Sequence, residues 1–168
     1  MLIIGVGGLG HLGVQFVKAT TAAKVIAVDS KQSASGWPPR AADHTLLSSD
    51  DTATAVRDLT GERSGRRVGL RRCRVHDPAR PGCSAVTADV TIVGIAGGSV
   101  TWNFFSQPYE VNLTTTYWGS RPELVELLEL AGRGVVRADF TTYSLDDAAQ
   151  AYRDLAAGTV AGRAVIVP

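Results

Sequence analysis

Apolar positions fall partly in short continuous runs and partly at a spacing near 3.6, the mixture expected of a chain that alternates strands with helices. The run Leu2-Ile3-Ile4 predicts a first strand, and Leu9, Leu12, Phe16 and Val17 mark one face of a helix from about Leu9 to Ala19. A second strand is expected over Lys24 to Val28 and a short third over His44 to Leu47. Ser48 or Ser49 caps a helix through Thr52, Val56 and Leu59, which Gly61 ends. Ala88 to Ile95 predicts a buried strand before Gly97-Gly98, and Val111 to Trp118 a further one. Pro122 to Leu130 is an amphipathic helix closed by Gly132 or Gly134. Ser144 then caps a helix through Leu145, Ala148, Ala151, Tyr152 and Leu155, with Asp147 at its third position, and Arg163 to Val167 closes the chain as a strand.

The alternation fails twice. Ser33-Ala34-Ser35-Gly36-Trp37-Pro38-Pro39 cannot make a good crossover helix. A strand lying beside the first one, covered on both faces, should be a continuous apolar run. Only Val68-Gly69-Leu70 stands where it is needed, enclosed by arginines.

Candidate chemistry sits at the first strand–helix junction. Gly5-Val6-Gly7-Gly8-Leu9-Gly10 follows the first strand directly, and Asp29 ends the second one nineteen residues later. Strand, glycine turn, helix, strand and acid at these offsets form the dinucleotide-binding fingerprint. Gly5 turns the chain off the strand, Gly7 leaves room for a pyrophosphate, and Gly10 lets the helix pack close. The helix aims its free N–H groups and positive dipole end at the phosphates. Asp29 would accept from both adenosine ribose hydroxyls and repel a 2′-phosphate, which selects NAD over NADP. The expected fold is a doubly wound, mostly parallel α/β sheet (a Rossmann fold), irregular around 31–40 and 63–86.

Length allows one domain, 1–168, with a real core. No apolar run approaches membrane-spanning length. Met1 lies inside the first strand with no basic leader, so the expectation is that nothing precedes the nucleotide-binding unit. Cys73 and Cys83 make no disulfide framework, which points to the cytoplasm. With His76 they match no standard zinc spacing, so no metal ligands are assigned. The net charge of +1 hides a cluster: seven of fourteen arginines lie between Arg63 and Arg80. That stretch has no aromatic residue on which a base could stack, so nucleic-acid binding is disfavoured. His11 is expected to be a surface or interface histidine.

Residues 2–29, together with TIVGIAGG at 91–98, TTTYWGSRPEL at 114–124 and GRAVIVP at 162–168, resemble the coenzyme domain of medium-chain zinc-type alcohol dehydrogenases. The likeness is good at both ends and fails at 31–40 and 63–86. It implies that Gly5, Gly7, Gly8 and Gly10 hold the pyrophosphate and that Leu9 backs the nicotinamide. Asp29 would bind the adenosine ribose, and Val93, Gly94 and Ile95 would lie beside the nicotinamide and its ribose. Thr116 and Trp118 would offer backbone groups to the carboxamide, and Arg163 would reach the pyrophosphate. Residues 101–105 would form an edge element used by a homodimer. The family function implied is hydride transfer between NAD and an alcohol, aldehyde or ketone. The family's zinc ligands belong to a separate catalytic domain that this sequence lacks, so no catalytic residue is assigned and the isolated chain is expected to bind NAD without turnover.

Three accounts of the irregular middle follow. One-base shifts of reading frame across Arg71–Val86 and across Ser33–Pro38, with GC-rich codons, can restore the apolar strand end, turn and helices that the family pattern needs; a frame error is the favoured account. The others are a basic nucleic-acid-binding loop and an inert insertion. Correspondingly, the chain is a dehydrogenase coenzyme-domain fragment, an NAD-binding module serving a partner, or an arginine-rich binder on a degraded scaffold.

Overall fold

In the computed structural model, residues 1–31, 41–61, 66–69, 86–95, 103–105 and 109–168 are described. The elements are β1 (Leu2–Ile4), α1 (Gly10–Thr20), β2 (Ile26–Asp29), β3 (His44–Leu47), α2 (Thr52–Thr60), β4 (Arg66–Gly69), β5 (Asp89–Ile92), β6 (Asn112–Thr115), α3 (Arg121–Gly132), β7 (Phe140–Ser144), α4 (Ala148–Ala157) and β8 (Arg163–Val167). Six of the strands form one parallel sheet in the order β3-β2-β1-β4-β5-β6. The order reverses between β1 and β4, which makes the carboxyl end of β1 the topological switch point where such sheets bind ligands. The chain is a doubly wound Rossmann fold, with β7 and β8 paired in parallel as a separate two-stranded sheet.

Side chains of β1 and β2 alternate between two faces, and each face carries its own helix. Ile3, Val25 and Ala27 pack with Val6 and with Val14 of α1. Leu2, Ile26 and Val28 pack on the other side with Val56 of α2. Among the described residues the core is therefore concentrated at β1 and β2, under the glycine turn. β5 is half-buried, every residue of β6 is exposed, and α3 buries none of its residues. The buried strands expected over Ala88–Ile95 and Val111–Trp118 are thus shorter, and only Ala88 is fully enclosed.

Several expectations are corrected. A fourth strand exists: the backbone of β4 pairs with β1 and β5 despite its two arginines, because ladder hydrogen bonds need only backbone groups. α2 has Asp51 at its N-cap with no side-chain cap bond, while Ser49 is spent on the preceding turn, accepting from Asp51 N–H at 3.3 Å. Its end at Gly61 is as expected, in the left-handed region at φ 59°. Ser144 ends β7 and caps a single turn, its Oγ accepting from Asp147 N–H at 3.2 Å, so α4 begins one turn later, after Asp147. β7 itself was not expected. Residues 32–40, 62–65, 70–85 and 96–102, which carry the broken crossover, Cys73, His76, Cys83, most of the arginine cluster and Thr101, lie outside the described residues. At 103–105 the chain makes a turn, with Phe105 N–H donating to Asn103 Oδ1 at 3.1 Å.

Asp43 anchors the edge between α1 and β3. Its carboxylate accepts from Val25 N–H at 2.6 Å and from Lys18 Nζ at 3.0 Å. These bonds, the backbone one foremost, hold its pKa below the ordinary carboxylate value. A carboxyl whose pKa is lowered by folding contributes stability above its unfolded pKa, about 3.9 for aspartate. That contribution is lost as pH falls through the lower folded value. The urea midpoint should therefore drop between pH 6 and pH 3 by more in the wild type than in Asp43→Asn; equal slopes would rule out this role.

Candidate functional site

The site is built on the turn after β1. Gly5 adopts φ 87°, a conformation costly for any residue with a Cβ, while its N–H extends the sheet by donating to Val28 O at 2.7 Å. The next amide, Val6 N–H, donates to Asp29 Oδ2 at 2.7 Å. Asp29 is 4% exposed, and its other oxygen accepts from Lys31 N–H at 3.1 Å. The acid thus first pins the glycine turn to the end of β2. Ser30 Oγ also donates to that second oxygen, at 3.4 Å, so the carboxylate is held through both of its oxygens.

Beyond Val6 the chain runs through Gly7, Gly8 and Leu9 into α1, whose N-cap Leu9 supplies no side-chain bond. Among the described residues, the N–H groups of Gly7, Gly8, Leu9 and Gly10 find no acceptor. Successive amide donors without an acceptor, at the positive end of a helix, suit an anion. Gly8 is needed for a specific reason. A Cβ there would stand 3.0 Å from Gly162 O, 3.2 Å from Arg163 Cδ and 3.3 Å from Arg163 Nη1. The start of β8 therefore lies directly over the turn and brings the Arg163 guanidinium to it, 155 positions along the chain from Gly8.

The remaining expected residues form a second group. Val93, Gly94 and Ile95 follow β5, and Thr116 follows β6, in register beside them. β4 separates this group from β1, a spacing of about 10 Å across two strand intervals along the same carboxyl edge. Ile95 is 83% exposed and Trp118 78%, the latter resting edge-on against Tyr117. The N–H of Thr116 donates to Ile92 O at 3.1 Å, which leaves its carbonyl as the backbone group to offer.

Two residues were missed. His11 is a buried link and not a surface histidine: Nδ1 lies 2.8 Å from Gly7 O, and Asp139 N–H donates to Nε2 at 3.0 Å. Since Nε2 accepts, Nδ1 carries the proton and donates to Gly7. Gln15, one turn on, receives Arg137 N–H at 3.0 Å and donates to Arg137 O and His11 O, each at 2.9 Å. The buried face of α1 is therefore Gly10, His11, Val14 and Gln15, while Leu9 and Phe16 of the expected apolar stripe are exposed. The one available signal was two polar residues at an i, i+4 spacing beside an apolar stripe.

Among the described residues no three His, Cys, Asp or Glu side chains gather where they could hold a metal ion. No helix among them is long and apolar enough to cross a membrane.

Residues 21–166 match the family model described as zinc-binding dehydrogenase. The chain belongs to that family. As a zinc-binding dehydrogenase chain it is 28% identical over its full length to an NAD-dependent alcohol dehydrogenase of Sulfurisphaera tokodaii, and 26% identical to one of Saccharolobus solfataricus. It covers 50% of each, so it spans about half the length of the curated relatives it matches. Its backbone superimposes on the crystal structure of an alcohol dehydrogenase from Aeropyrum pernix with a TM-score of 0.86. Identity to that protein is 31%, over 99% of this chain and 50% of that one. A shared fold at that level extends through β4, the strand whose sequence looked least like one.

Proposed function

We propose that residues 1–168 are the NAD-binding domain of an NAD-dependent alcohol dehydrogenase, interconverting an alcohol with its aldehyde or ketone. One observation carries the reading: the successive amides of Gly7–Gly10 have no acceptor among the described residues, and the Arg163 side chain lies where a side chain at Gly8 would stand. That arrangement fits a pyrophosphate, doubly charged and approached closely by backbone. Asp29 lies one contact away, at the end of β2, where the adenosine ribose of a dinucleotide would meet it. Its negative charge disfavours a 2′-phosphate. Leu9 is 47% exposed and free to back the nicotinamide. Val93, Gly94, Ile95, Thr116 and Trp118 sit further along the same carboxyl edge, where the nicotinamide end would reach.

The bound cofactor supplies the hydride chemistry, and the chain's residues bind and orient it. No catalytic residue is assigned to this stretch, and the zinc ligands that the family resemblance implies would lie outside it. A cytoplasmic location agrees with the two cysteines. A homodimer agrees with the exposed edge of β6, which would appear in sedimentation velocity as a species of twice the chain mass.

Fluorescence titration with NADH and NADPH tests the cofactor assignment. NADH should bind, and NADPH should bind at least about tenfold more weakly, a difference of roughly 1.4 kcal/mol. Absence of NADH binding, or a preference for NADPH, would overturn the reading.

A further inference from the structure

The contacts around Gly7 and Gly8 close into a ring that passes through His11. Gly7 O receives the His11 Nδ1 proton at 2.8 Å. His11 Nε2 accepts from Asp139 N–H at 3.0 Å. The carbonyl of that same Asp139 accepts from Arg163 N–H at 2.9 Å, and the Arg163 side chain returns to lie on Gly8. The imidazole is 2% exposed and is held from both nitrogens, one bond to the glycine turn and one to the strand-forming segment. The cofactor reading above makes no use of this ring, and His11 is not among the residues of the apolar core cluster beneath α1.

We propose that His11 is a positioning residue of the phosphate cradle: by donating to Gly7 and accepting from Asp139 it holds Arg163 over the glycine turn. The proposal rests on the NAD reading above. It places Arg163 under the control of a side chain that touches neither Arg163 nor the ligand. Two features of an imidazole suit the task. It is rigid, so the distance between the two backbone groups is set, and in its neutral form it offers one donor and one acceptor on opposite sides of the ring. Alanine offers neither, and phenylalanine fills the space while leaving Asp139 N–H without this acceptor and Gly7 O with the residue 11 backbone N–H alone, at 3.2 Å.

The test is calorimetric or fluorescence titration of the full chain with ADP and with adenosine, for the wild type, His11→Phe, Arg163→Ala and the double variant. Removing a charge-assisted contact to phosphate corresponds to a loss of about ten- to a hundredfold in affinity. His11→Phe should lose ADP affinity by that order, leave adenosine affinity unchanged, and add nothing further in the Arg163→Ala background. Unchanged ADP affinity in His11→Phe, equal losses for ADP and adenosine, or multiplied losses in the double variant would each overturn the positioning role. A wild type that binds no ADP would overturn the cofactor reading and this inference with it, whereas the other outcomes leave that reading intact. A second measurement needs no variant. Long-range proton–nitrogen spectra of the wild type should show His11 protonated at Nδ1, with its signals moving when ADP is added. An Nε2-protonated ring, or signals indifferent to ADP, would refute it.

Discussion

Asp29→Ala should sharply weaken dinucleotide binding and destabilise the fold in the same step. The carboxylate accepts Val6 N–H at 2.7 Å, and Val6 is 1% exposed, so water cannot replace the lost acceptor. Leaving a buried donor without this partner costs about 1–3 kcal/mol. The same change frees the glycine turn from the end of β2 and removes the charge that would meet the adenosine ribose. NADH affinity should therefore fall by about a hundredfold or more, the equivalent of roughly 2.7 kcal/mol. Asp29→Asn separates the two effects. An amide oxygen can still accept from Val6, though the amide nitrogen cannot accept from Lys31 N–H, so the denaturation midpoint should recover in part, while the lost negative charge should narrow the preference for NADH over NADPH. The paired measurement is urea denaturation with NADH titration on both variants. An alanine variant with wild-type affinity would remove Asp29 from the site.

Gly162→Ala should detach the β7–β8 unit from the turn. Gly162 adopts φ 70°, and a Cβ there would lie 1.9 Å from Asp139 O and 2.6 Å from its carbonyl carbon. Backbone atoms cannot swing aside as the tip of a long side chain can. The left-handed conformation alone costs about 1–2 kcal/mol for a residue with a Cβ. Relieving the overlap further requires breaking the Arg163 N–H bond to Asp139 O, the junction that carries Arg163 to Gly8. The expected result is a total loss above about 3 kcal/mol, within the range of the most damaging single changes. Hydrogen exchange should show faster exchange across β7 and β8 while β1 and β2 remain protected. Gly132→Ala is the contrast: nothing lies within 4 Å of a Cβ there, and the residue ends α3. It should be neutral or stabilising by about 0.5 kcal/mol. Equal melting curves for the two variants would refute the strain argument at Gly162.

The two halves of the chain differ in how much could be read from residues alone. Around β1 and β2 the local signals agree. A continuous apolar run, a glycine needing positive φ and an acid at the right offset each point to one arrangement, and the structure assembles them within a few ångströms. At β4 the local signal pointed the wrong way, because Arg66 and Arg67 resemble no buried strand. Pairing with β1 and β5 depends on backbone groups that every residue carries, and the sequence pattern of side chains is silent about it. β7 was missed for a related reason. Phe140, Thr141, Thr142 and Tyr143 are all good strand formers, yet they show no alternation, being largely exposed. Its partner, β8, lies beyond α4, which Tyr143 contacts through its hydroxyl bond to Asp154 at 3.0 Å.

By itself the sequence determined the fold class, the glycine turn, the acid at the end of β2 and the extent of β1, β3 and β8. All of these rest on interactions between near neighbours or on the φ a single residue can adopt, which composition and spacing record directly. Only the tertiary structure decided that Asp29 holds Val6, that His11 and Gln15 are buried, and that Arg163 lies on Gly8. Those contacts join backbone groups across separations of 23 to 155 positions. A backbone amide or carbonyl has the same chemistry at every residue, so no side-chain pattern can announce which one a distant histidine or arginine will meet.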